Sequence, residues 1–125
     1  MFKFLAKKFG VIYNDLMEEN AKDKALSAFR QPPLRLNCAQ AVAYGLGRED
    51  LLEKLSDCGV GRAPNGMCGA VYAAMMIAGV QNADAVVEAF KNKNGSIFCK
   101  ELKQIYRVPC PQCVVSGVEL GESKK

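Results

Sequence analysis

The chain has 125 residues, half of them apolar, which suits one domain able to bury a real core without disulfide staples. Its formal charge of +4 is modest and partly terminal (Lys3, Lys7, Lys8, Lys124, Lys125), so nucleic acid is not an expected partner. It holds six cysteines and no histidine, which excludes Cys-His nucleophile pairs and Cys2His2 zinc sites; c-type haem attachment is excluded because Val114 follows the 110–113 Cys-x-x-Cys run.

Taken in chain order, Phe2, Leu5, Phe9, Ile12 and Leu16 recur at helical spacing and predict an amphipathic N-terminal helical extension over 1–23. Docking on the core or on a second copy suits it better than a membrane surface, because Asp15, Glu18 and Glu19 follow the basic stretch. Lysines inside the first residues argue against a secretory signal, and the longest apolar run, 67–80, falls short of the roughly 20 residues a spanning helix needs. A cytoplasmic protein with no transmembrane segment is therefore expected.

A second helix is expected over 24–30, stopped by Pro32 and Pro33. Asn37 is placed to cap a helix starting at Cys38 and running to Gly47, and Asp50 to open a short helix ending near Gly59. Residues 59–66, with three glycines and a proline, read as a loop. The helix after it, 68–78, has almost no polar face and should be the buried centre. Asn82 or Asp84 starts the next helix, with Val86, Val87 and Phe90 inward and Lys91 and Lys93 at the C-terminal end. Gly95 closes it, and Ser96 is placed to cap a helix carrying Cys99, Leu102 and Ile105. Pro109 and Pro111 bracket Cys110, and a last short helix is expected over about 112–120. No alternating strand stands out, so the fold class is all-α, a small single-domain helical bundle or array of about five to seven short helices.

Six cysteines in a chain of this kind point to metal or redox chemistry rather than a disulfide framework. Cys38, Cys68 and Cys99 fall at expected helix starts, where backbone N–H groups and positive potential lower thiol pKa. Cys110 and Cys113 form a chelating or redox-active Cys-x-x-Cys pair, although the strands of a thioredoxin-like setting are missing. Cys58, beside Gly59, reads as a small apolar core residue. Asn37, Arg62, Gly66, Gly69 and Ser96 flank the thiols. Arg62 and Asn65 lie in the glycine-rich loop, which matches no phosphate-binding motif.

Four stretches carry a resemblance: Asn37-Cys38-Ala39-Gln40-Ala41-Val42, Cys68-Gly69-Ala70, Gly95-Ser96-Ile97-Phe98-Cys99-Lys100-Glu101-Leu102, and Cys110-Pro111-Gln112. In this order they resemble the C_GCAxxG_C_C family of redox-active proteins over about 24–120. Ala73 stands where the second motif has glycine, and Cys113 adds a thiol where an aromatic residue is common. The resemblance implies that Cys38, Cys68, Cys99 and Cys110 are the family's four cysteines and that the function is redox or metal-linked.

The reading that follows is an iron-sulfur protein for electron transfer or redox sensing, with Cys38, Cys68, Cys99 and Cys110 as ligands and Cys113 as alternate. Its partner would be a redox protein or an oxidoreductase, and a homodimer is compatible with the amphipathic first helix. The alternatives are a thiol-disulfide protein using Cys110 and Cys113, and a structural zinc-binding helical adaptor. No carboxylate has the setting of a general base, which makes an accessory redox subunit a better expectation than a stand-alone enzyme.

Overall fold

The structure, a computed structural model, describes residues 20–59 and 61–124. Most of the N-terminal amphipathic segment expected over 1–23 lies outside them. The described residues form six α-helices joined by turns and short 3-10 segments, without a strand. The helices are α1 (Ala21–Ala28), α2 (Cys38–Gly45), α3 (Gly69–Ala78), α4 (Ala83–Asn94), α5 (Cys99–Gln104) and α6 (Cys110–Lys124). This is the all-α class the sequence predicts.

The middle of the fold is α3. Gly69, Ala70, Val71, Ala73, Ala74, Ile77 and Ala78 are all buried, and the helix packs on α2, α4 and α6. Its small residues let the axes come close. At Gly117 of α6, an added Cβ would stand 2.9 Å from both the Ala70 carbonyl oxygen and Val42 Cγ2. Around this centre Phe90, Leu55, Leu102, Val114 and Val118 are fully buried. A polar chain running from the buried Ser116 and Asn94 out to the exposed Gln112 ties α4 to α6: Asn94 Nδ2 donates to Ser116 Oγ at 3.3 Å, and Gln112 Nε2 donates to Asn94 Oδ1 at 3.1 Å. The buried Asn94 amide thereby keeps a partner at both its nitrogen and its oxygen, as the cost of burying it requires.

The helix boundaries differ from expectation where local chemistry competes with periodicity. α1 starts at Ala21, because the Asn20 side chain accepts from the Asp23 N–H, and it ends at Ala28 rather than Arg30. Phe29 is extended and Arg30 has φ 58, so the helix unwinds before the prolines are reached. The short helix expected after Asp50 is only a 3-10 turn, Glu49–Leu51, followed by turns. Residues 59 and 61–66 lie outside the α-helices, as the expected loop requires, and end in the 3-10 turn Pro64–Gly66. The final helix starts at Cys110 and is much longer than expected. Pro111 lies within its first turn, where a missing N–H costs nothing, so it belongs to the helix instead of delaying it.

Candidate functional site: a cavity walled by cysteine

Four helix beginnings meet on one side of the bundle, and each carries a cysteine. Cys38 is the first residue of α2, Cys68 the N-cap of α3, Cys99 the first residue of α5 and Cys110 the first of α6. Cys113 is one turn into α6. These five thiols, with Gly69, Arg30 and Lys103, wall a cavity of about 220 Å³. Cys38, Cys68 and Cys113 are buried, and Cys99 and Cys110 are partly exposed. Cys58 does not line the cavity; it packs against the apolar core, in keeping with its reading as a core residue. No disulfide links the described cysteines.

Local hydrogen bonding explains the convergence. Asn37 and Gln40 form a reciprocal capping box, with Gln40 N–H donating to Asn37 Oδ1 at 2.8 Å and Asn37 N–H to Gln40 Oε1 at 3.1 Å. The remaining donors of both side chains reach over to the 52–56 turn: Asn37 Nδ2 to the Leu55 and Ser56 carbonyls, Gln40 Nε2 to the Leu52 carbonyl. Asn37 thus caps α2 and holds down the segment leading to Cys58. The Cys68 N–H donates to the Ile97 carbonyl at 2.7 Å, beside an antiparallel bridge between Met67 and Phe98, which draws the starts of α3 and α5 together.

Gly69 sets the distance between α2 and α3. A Cβ there would be 2.3 Å from the Cys58 carbonyl oxygen and 2.8 Å from Cys38 Sγ. Ser96 works from outside α5 rather than as its N-cap, which is Phe98. Its hydroxyl accepts from the Phe98 N–H at 3.0 Å and donates to Glu101 Oε1 at 2.6 Å. Arg62 and Gly66, expected beside the thiols, do not line the cavity. Arg62 Nε turns back to the Gly59 carbonyl at 3.5 Å, and Gly66 lies on a neighbouring groove.

Two cations that sequence reasoning did not single out complete the wall. Arg30 Nη2 lies 3.8 Å from Cys110 Sγ. Lys103 Nζ donates to the Val108 carbonyl at 2.9 Å and lies 3.9 Å from Cys113 Sγ. Lys103 carried a legible signal, since it follows Cys99 by one helical turn and must share its face. Arg30 carried none: it reaches the site because its left-handed backbone turns the chain there and its N–H bonds the Leu36 carbonyl.

The thiols are electrostatically unequal. The Cys68 thiol donates to the Cys113 sulfur, and this bond, with burial added, pushes Cys68 up to about 12. The same bond lowers Cys113 below an ordinary thiol, against its own burial and with help from the Lys103 ammonium. Cys99 is raised, first by burial. The lowering expected at helix starts is therefore reversed at Cys68 and Cys99, where desolvation and a neighbouring sulfur outweigh the helix terminus. Burial lowers Lys103, but the Cys110 and Cys113 sulfurs overcome it and hold the ammonium charged.

Among the described residues, no three cysteine or carboxylate side chains converge as ligands of a single metal ion; the thiols are spread around the cavity wall. Nor is any described helix long and apolar enough to cross a membrane. No protein-family model, curated protein or solved structure matches the chain.

Proposed function

We propose that this chain is a redox protein whose cavity takes a cysteine-ligated iron-sulfur cluster, used for electron transfer to a partner oxidoreductase or for redox sensing. The observation that carries this reading is the gathering of five thiols from four helix starts around one cavity with two cations on its wall. Cys38, Cys68, Cys99 and Cys110 would hold the cluster, with Cys113 as alternate. That ligand set is the one the four-motif resemblance implies. Bound there, such a cluster supplies one-electron chemistry at a potential set by its charge, burial and hydrogen bonds to sulfur.

The protein's own contribution is legible in the same residues. Thiolate ligands bring negative charge into a partly buried site, and Arg30 and Lys103 offset it from the Cys110 and Cys113 side. The buried flanks of Cys38, Cys68 and Cys113 exclude water on the other sides. A structural zinc ion would need four sulfurs each about 2.3 Å from one point. Thiols that line a 220 Å³ cavity without converging on one point suit a polynuclear centre better.

One observation favours a second reading, thiol-disulfide exchange: Cys113 is held below an ordinary thiol beside the Lys103 ammonium. Its immediate sulfur partner is Cys68, at the start of α3, rather than Cys110 in the Cys-x-x-Cys pair.

A cysteine-to-serine series on protein purified without oxygen tests the proposal. Cys38→Ser, Cys68→Ser and Cys99→Ser should each lose the broad visible absorbance of a cluster, as should Cys110→Ser combined with Cys113→Ser, while Cys58→Ser keeps it. Absorbance that survives these cavity substitutions, or that Cys58→Ser alone removes, would sink the assignment.

A further inference from the structure

Against the cysteine cavity lies a second, open groove of about 340 Å³, lined by Gly61, Gly66, Cys99, Lys100, Lys103 and Gln104. It falls in the range of roughly 300–1,000 Å³ typical of small-molecule sites. Cys99 and Lys103 belong to both walls, so a molecule in the groove would touch a residue that also faces the cavity. We propose that this groove binds a small organic anion, a carboxylate-bearing molecule, and brings it from solvent to the Cys99 sulfur. The groove does not depend on what fills the cavity.

Three observations support an anionic occupant. First, no carboxylate stands among the described lining residues, and the Lys100 ammonium is the charge left to the groove, since the Lys103 ammonium is turned to the Val108 carbonyl and the Cys113 sulfur. Lys100 is exposed and enters none of the ion pairs among the described residues. Second, the nearest carboxylate in sequence, Glu101, is engaged by the Ser96 hydroxyl at 2.6 Å and does not line the groove. Third, Gly61 leaves the sulfur uncovered. A Cβ at this position would stand 3.2 Å from Cys99 Cβ and 3.6 Å from its Sγ, and φ +76 disfavours any side chain there. Gln104 adds an amide that can donate to a carboxylate oxygen.

A pair of alkylating reagents of similar size and different charge reads this out. The full chain, freed of metal, is treated with iodoacetate or with iodoacetamide at constant ionic strength, and the rate at Cys99 is followed by peptide mass spectrometry. The ratio of anionic to neutral rates in the folded protein should exceed the ratio at Cys99 of the same chain in urea several-fold. Lys100→Gln, or an excess of succinate, should bring it down to the urea value. Equal ratios in folded and unfolded chain would overturn the proposal, as would a raised ratio untouched by Lys100→Gln. If Cys99 reacts too slowly to rank, a succinate titration followed by amide NMR decides. Saturable shifts at Gly61, Gly66 and Lys100 support the site, and their absence rejects it. Neither readout involves iron, so its failure is separate from failure of the cluster assignment.

Discussion

Gly69→Ala is the sharpest test of how the bundle brings its thiols together. The new methyl would meet the Cys58 carbonyl oxygen at 2.3 Å and Cys38 Sγ at 2.8 Å, whereas ordinary contacts begin at 3.4 Å. The first obstacle is backbone and cannot rotate away, so the segment ending at Cys58 and the start of α3 must part by about 1 Å. Overpacking of this kind costs about 1–3 kcal/mol, and a backbone obstacle places Gly69→Ala near the upper end. At about 4 °C per kcal/mol for a domain of this size, the unfolding midpoint should fall by about 10 °C. The variant should still fold, since domains commonly hold about 5–15 kcal/mol. Gly47→Ala is the control. Gly47 has φ +77 but nothing within 4 Å of an added Cβ, so only left-handed strain of about 1–2 kcal/mol applies. Thermal unfolding followed by circular dichroism compares the two, and visible absorbance reports whether the Cys38 and Cys68 sides of the cavity still meet. A Gly69→Ala protein as stable as Gly47→Ala, with absorbance unchanged, would refute the argument that close approach at Gly69 sets the site.

The other expectations rest on separate contacts. Asn37→Ala removes the α2 cap and both bonds to the Leu55 and Ser56 carbonyls, so chemical denaturation should show a loss of about 2 kcal/mol, above the ~1 kcal/mol of a simple cap. Lys103→Met removes the ammonium beside the Cys113 sulfur, so the Cys113 Cβ NMR titration should move to higher pH while Lys103→Arg stays near wild type; an unmoved titration in Lys103→Met would discount that charge. Glu119, partly exposed between Lys93 and Lys22, is held below the usual carboxylate range mainly by its hydrogen bond from Lys93. Its contribution is therefore present above the unfolded-state pKa of about 4.3 and is lost as pH falls through the lower folded value. Glu119→Gln should cost at most about 1 kcal/mol near pH 7, shrinking with salt and vanishing in acid, as urea denaturation across pH would show.

Much of the architecture was legible because its signals are local. Asn37 ahead of Cys38 announced a cap, and the run from Cys68 onward, without a polar face, announced a buried centre. The cysteines at expected helix starts pointed to the thiols that now wall the cavity. Other features were hidden because they depend on tertiary contact. Pro111 read as a bracket ahead of a helix starting near Gln112, yet α6 begins at Cys110 and takes Pro111 into its first turn, which needs no N–H there. Ser96 could be recognised as a capping residue, but not as one acting from outside the helix through Phe98 and Glu101. Arg30 reaches the cavity only through a left-handed turn in the 29–36 loop, which no spacing rule signals. The inequality of Cys68 and Cys113 arises between helices far apart in sequence, so helix-end reasoning alone predicted the wrong direction at Cys68.

The most direct test of the account is the iron, acid-labile sulfide and zinc content of the full chain purified without oxygen, measured with its ultraviolet-visible spectrum. Iron and sulfide in comparable amounts, with a broad visible band, are the predicted result for a thiolate-held cluster in this cavity. Zinc alone, or a colourless protein that gains neither iron nor sulfide on reconstitution, would contradict it.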